Sequence, residues 1–313
     1  MSARHKTILS GIALIFAVCI LSIAAPVVGL FFFILLPLPM MIYRIRLDRK
    51  DGGIVALAGM AVTTVYIGTV GSDVYFLSAM VGLGFCLGEF TEMNFSVGRI
   101  IGFAVVLVWG AAIFALILYS NFSGSNTVAV VSDYIDTYLT VTMMLYQKMG
   151  MPDDAVRELA VAIEDIRDTL MGILPGLFAA ALLFIAWINV LLARMVFKIK
   201  NIRIISDAPL NTWKAPDSLV WGLIGCVGLM LMPGGAMKLI GINGLILLMT
   251  VYFFQGIAIV SFYFNKKQIP FFIRVLMYAI IVIQQILVLL VIGLGFFDVW
   301  FNFRRIGADP PAQ

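Results

Sequence analysis

Few side chains in this sequence could do chemistry, and their spacing says what kind. Glu89 and Glu92 close one apolar run as LGEFTEMN, and Arg99 opens the next after a short turn. Three charges so close at a membrane boundary form either an ion-paired hairpin or a site for a proton or a charged solute. Asn243, Tyr252 and Gln255 lie along a later run, where Tyr252 and Gln255 share a helix face and Asn243 sits about three turns away. Gln284 and Gln285 fall close to the middle of the last run. Carboxamides at such depth either bond neighbouring helices or recognise a guest, so Asn243, Tyr252, Gln255, Gln284 and Gln285 form a candidate substrate-binding set. Asn189 carries the same two readings.

Catalysis finds little support. His5 is the one histidine and lies in the N-terminal tail, which removes the usual proton shuttle and the commonest metal ligand from any buried site. Cys19, Cys86 and Cys226 sit in apolar runs without CxxC spacing and read as small packing residues, not as a disulfide framework or a metal site. GLGFFD at 293–298 lacks the order of an intramembrane aspartyl protease, and no GxSxG, HExxH or P-loop occurs. The expectation is a protein that is not an enzyme, with no catalytic residues, no metal and no cofactor.

The elements that must position these residues are membrane helices. Of 313 residues 62% are hydrophobic and only 12% charged. Soluble domains are about 45–50% apolar and about 25% charged, so this chain has too little charge to coat a globule. Its partner is the lipid bilayer, and its +4 balance bears on topology and not on nucleic acid. Crossing the hydrocarbon layer takes about 20 apolar residues in a helix. Nine such runs occur, near 8–25, 27–43, 53–71, 73–90, 97–120, 171–193, 218–237, 241–264 and 275–297. Pro26 with Gly29 offers a turn between the first two. The first run is read as retained, not as a cleaved signal.

With the N-terminus in the cytoplasm, nine spans place 15 of the 21 basic residues on the cytoplasmic side. Arg304 and Arg305 on an outside C-terminus are the layout's weakest point, and eight spans is the alternative. Residues 121–170 carry eight acids against three bases, as suits a loop facing away from the cytoplasm. Within them Val131, Tyr138, Thr142, Leu145 and Met149, then Val156, Leu159, Ile163, Ile166 and Leu170, recur at helical spacing. Gly150, Met151 and Pro152 separate the stripes, and Asp153 and Asp154 suit the first turn of the second helix. The fold expected is therefore all-α: a polytopic transmembrane helical bundle of eight or nine spans with an external amphipathic helical hairpin. One integral membrane domain divides into N-terminal spans (1–120), an extracytoplasmic insertion (121–170) and C-terminal spans (171–313).

Glycines at 59, 68, 71, 82, 84 and 88 concentrate in the third and fourth runs, and Gly84 with Gly88 has the small-xxx-small spacing of closely packed helices. Trp213 and Trp221 flank the start of the seventh run as interfacial anchors, while Asp298, Trp300, Arg304 and Arg305 make an interfacial end to the last.

Five stretches in order, LLPLPMMIYRIR (35–46), ILPGLF (173–178), NTWKAPDSLVW (211–221), INGLILLMTVYFFQG (242–256) and GLGFFDVWFNFRR (293–305), resemble the YybS-like family of bacterial inner-membrane proteins, domain of unknown function 2232. That resemblance covers nearly the whole chain and implies about eight spans in a bacterial inner membrane. The family is distantly similar to the substrate-binding S subunits of energy-coupling-factor transporters and to MreD, a likeness of fold from which no vitamin-binding motif transfers. Two functions stay open: a component that binds or moves a small solute through the amides of the last two spans, and a non-transporting envelope scaffold that engages another membrane protein through its glycine-rich face or external hairpin.

Overall fold

A computed structural model of the chain describes residues 3–25, 28–69, 71–122, 124, 126–199 and 209–305. Among these residues the regular structure is entirely helical: α1 (Ala3–Ala24), α2 (Val28–Leu35), α3 (Pro37–Arg46), α4 (Arg49–Ile67), α5 (Ser72–Glu92), α6 (Val97–Phe122), α7 (Thr127–Lys148), α8 (Asp153–Ile199), α9 (Leu219–Met230), α10 (Gly235–Lys266), α11 (Phe271–Ile283) and α12 (Gln285–Phe301), with a single 3-10 turn at Leu210–Thr212. Pro26, named above as a turn, lies outside the described residues, as do the side chains of Tyr138, Asp153, Ile163, Ile166 and Asp168.

Local chemistry sets the breaks. Pro37 at the first position of α3 lacks the N–H that would continue α2, so residues 28–46 form one bent apolar pass. Gly68 ends α4 in the left-handed region at φ +77°. Asn126 caps α7, its side chain accepting from the Val128 N–H.

Seven helical segments are long and apolar enough to cross a membrane, and the bent pair α11–α12 is an eighth candidate by length and composition, as a broken span or a re-entrant loop. Of the expected eight or nine spans, eight agrees with this count and nine exceeds it. The seventh run yields only the 12-residue α9, because Met232-Pro-Gly-Gly interrupts it. The ninth is cut at Gln284, whose extended backbone turns α12 by 102° from α11.

Helix α8 runs unbroken for 47 residues, about 70 Å, across the boundary drawn at 170. Its span is Thr169–Ile199, and the 16 residues before it extend past the apolar layer. Onto that extension folds α7, joined by the turn at 149–152, with Arg167 of α8 bonding Asp136 and Ser132 of α7. Although α7 is long enough to cross, its geometry argues otherwise. It begins where α6 ends, and it finishes beside the start of α8, about 70 Å along that helix from the end that meets α6's first turn.

The buried core joins α1, α3, α4, α5, α6 and α8 around Leu36, Met40, Leu83, Leu87, Ala104 and Leu182. Gly84 and Gly88 do bring backbones close: a Cβ on Gly84 would stand 2.8 Å from Met40, and one on Gly88 the same distance from the Arg44 stem.

Candidate functional site

Helix ends and polar groups gather on one face, here called the near face. Arg4 pairs with Asp51 at the start of α4, and its hydrogen bond holds that carboxyl below the usual carboxylate range. Arg44, buried near the end of α3, donates through Nε to Glu89 at 2.8 Å and lies 2.9 Å from Glu92, with its guanidinium 5.7 Å from the centre of the Phe85 ring. Arg49 approaches Glu89 at 3.3 Å. Glu89 and Glu92 thus do form an ion-paired cluster, but the expected third member is replaced. Arg99 is exposed and takes part in no ion pair among the described residues. The reason is steric: glycines at 52 and 88 leave a slot for the Arg44 stem between α4 and α5, whereas Arg99 is exposed on α6.

The same face holds a second cluster built from three distant segments. Asp298 near the end of α12 and Arg304 just past it are both fully buried and meet at 2.8 Å. Arg304 also donates to the backbone carbonyls of Asn211 at 2.9 Å and Trp213 at 2.8 Å. Gln255 of α10 donates to Asp298 at 3.2 Å and accepts from the Ala215 N–H at 3.2 Å. The Phe303 N–H donates to the other oxygen of Asp298 at 2.9 Å. A closed ring results, running from the 211–215 segment through Gln255, Asp298 and Arg304 back to that segment.

Two buried atoms on residues of this ring, Asn211 Oδ1 and Arg304 Nε, have no hydrogen-bond partner among the described residues, and neither has the buried Tyr252 hydroxyl on the preceding turn of α10. Tyr252 is one turn before Gln255, with its ring edge-on to Phe296. Trp213 wedges between α6 and α8, its indole nitrogen 2.9 Å from where Gly98 would carry a Cβ and its ring 4.7 Å from that of Trp187. It is a packed strut, while Trp221 is the exposed ring. Asp298 and Arg304, read from sequence as an interfacial end, are core groups because the chain turns at Asn302 (φ +40°) and folds back over the bundle.

The five residues of the expected substrate-binding set are not brought together. Only Gln255 joins the ring, with Tyr252 on the preceding turn of the same helix. Asn243 is spent on α8: its amide accepts from the Gly176 N–H and donates to the Gly172 carbonyl at 2.8 Å, bracketing Pro175, whose missing N–H interrupts the helix ladder there. Asn189 likewise donates to the Ile34 carbonyl at 2.8 Å, as helix glue. Gln284 and Gln285 are exposed at the α11–α12 break. The signals that could have found this arrangement are Gly172-xxx-Gly176, an unread small-residue pair, and the charge at 298 inside a run otherwise apolar.

Sidedness follows from these contacts. Gln255–Asp298 and Tyr263–Phe303 (2.8 Å) hold the end of α12 and the residues just past it against the C-terminal half of α10, which runs toward the near face. Helix α11 starts from that face too, since Arg274 bonds Asn265 and the Ile269 carbonyl. At 13 residues, about 20 Å, it is too short to cross, so α11–α12 enters and leaves on one side. Arg304 therefore shares a face with the α8–α9 connection, which corrects the nine-span layout that placed them opposite.

A family model described as "Predicted membrane protein (DUF2232)" matches residues 12–299, and the chain belongs to that family. It is 24% identical over 301 residues to the "Uncharacterized protein YybS" of Bacillus subtilis (strain 168), covering 94% of this chain and 95% of the relative. No solved structure matches.

Proposed function

We propose that this member of the DUF2232 family is a non-catalytic component of the bacterial inner membrane that binds a small polar solute at the Gln255–Asp298–Arg304 ring. One observation carries the reading. Buried polar groups are partnered in the great majority of cases, yet two on the residues of this ring, and the Tyr252 hydroxyl one turn before Gln255, have no partner among the described residues. The ring also lies where the half-length α9 and the re-entrant pair α11–α12 approach α10, and interrupted helices of this kind line solute sites in membrane carriers. Asp298 and Arg304 balance each other, so the fitting guest is neutral. It accepts from Tyr252 and Arg304 Nε and donates to Asn211 Oδ1.

A cytoplasmic near face suits the charges: Arg304 and Arg305 join the 15 basic residues already assigned there, leaving only Lys148, Arg157, Arg167 and Lys238 opposite. Thermal unfolding of the purified protein against neutral polyols, amides and nucleobases tests the reading. At least one should raise the midpoint, and Gln255→Leu should remove the rise; a panel without effect on the wild type overturns it.

A second reading is favoured by α7, which has no buried residue among those described. In this reading the protein is an envelope scaffold that docks another membrane protein. Because Gly84 and Gly88 are already covered by α3, the docking element would be the α7–α8 hairpin. Cross-linking in native membranes should capture one dominant partner and lose it when residues 126–168 are deleted; an unchanged capture profile counts against the hairpin.

A further inference from the structure

Next to the ring, with which it shares Phe303, a cavity of about 440 Å³ lies between α10, α11 and α12 beneath the bend, lined by apolar side chains that include Ile259, Met277, Ile281, Leu290, Val291 and Leu294. The one hydroxyl on its wall, that of Tyr263, is committed to the Phe303 carbonyl. Nothing in the lining recognises a polar guest, so whatever enters is a hydrocarbon. The helices around it carry large exposed apolar residues, Val282, Ile283 and Ile286 among them.

Charge supplies the second half of the site. Tyr263 and Phe264 line the cavity, and about one turn further come Lys266, the last residue of α10, and Lys267 just past it, both exposed and with no ion pair among the described residues. A cationic pair at the membrane surface above an apolar slot is complementary to one kind of molecule, an anionic lipid.

We propose that this cavity seats one acyl chain of an anionic phospholipid from the near-face leaflet, with its headgroup on Lys266 and Lys267. Lipid tails are as apolar as leucine, so the chain gains no hydrophobic free energy by leaving the bilayer. It gains dispersion contact with walls that would otherwise face a void, and the lysines select the headgroup at about fivefold each.

Native mass spectrometry of the full-length protein, released from micelles with phosphatidylglycerol or phosphatidylcholine of identical chains, tests this. Wild type should retain phosphatidylglycerol on the order of 25-fold better. The double variant Lys266→Gln, Lys267→Gln changes only exposed groups and should erase that preference. Met277→Trp, which fills the cavity, should reduce retention of both lipids. Glycerol phosphate, the headgroup chemistry without chains, should not compete. Equal retention of the two lipids by wild type, undiminished retention by Met277→Trp, or competition by glycerol phosphate would each overturn the proposal.

Discussion

Removing Arg304 would leave the Asp298 carboxylate buried without its counter-charge, one of its three partners, since both side chains are about 1% exposed. Arg304→Ala is expected to cost about 3–5 kcal/mol in thermal unfolding, whereas Arg304→Met combined with Asp298→Leu should recover most of that loss. A cost under about 1 kcal/mol for the single variant would show the pair to be hydrated, not core. Arg44 and Arg99 give a second contrast. Arg44→Gln breaks a part-buried pair with Glu89, which keeps Arg49 beside it, and should destabilise by about 1–3 kcal/mol, while the exposed Arg99→Gln should stay within about 0.5 kcal/mol. Sequence placed Glu89 and Glu92 in an ion-paired turn but chose the wrong cation. Arg99 is their neighbour along the chain, and Arg44 reaches them only because α3, α4 and α5 pack with glycine at the contact.

Among elements, the closest approach is between α10 and α12. A Cβ on Gly256 would collide with the Val291 carbonyl oxygen, and one on Gly295 with that of Tyr252. Backbone cannot swing aside as a flexible side chain does, so Gly295→Ala should force the helices apart and cost about 1–3 kcal/mol. It should also loosen Gln255 from Asp298, which faster hydrogen exchange in the α12 segment would report; unaltered exchange and unfolding would argue against so tight a crossing. Helix existence was readable here from apolar run length. Helix continuity was not, because composition barely distinguishes a crossing helix from one cut at Gln284 or from α9 followed by Met232-Pro-Gly-Gly.

Across the whole molecule, contacts among distant segments set which ends share a face. In a cysteine-free background, Gln147→Cys at the hairpin end of α7 and Arg305→Cys past α12 are both exposed. A membrane-impermeant maleimide applied to spheroplasts should label the first directly and the second only after permeabilisation. Labelling of both from one side would refute the assignment of Arg305 to the near face. Sequence by itself determined that lipid is the solvent, that the chain is helical and that few polar groups lie at depth, because hydrophobicity and length are additive properties of a chain. Tertiary structure alone decided which of those polar groups meet. Gln255, Asp298 and Arg304 lie 43 and six residues apart, and Asn211 a further 93 from Arg304. Only the crossing of α10 with α12 and the fold-back after Asn302 join them, and no local spacing encodes that encounter.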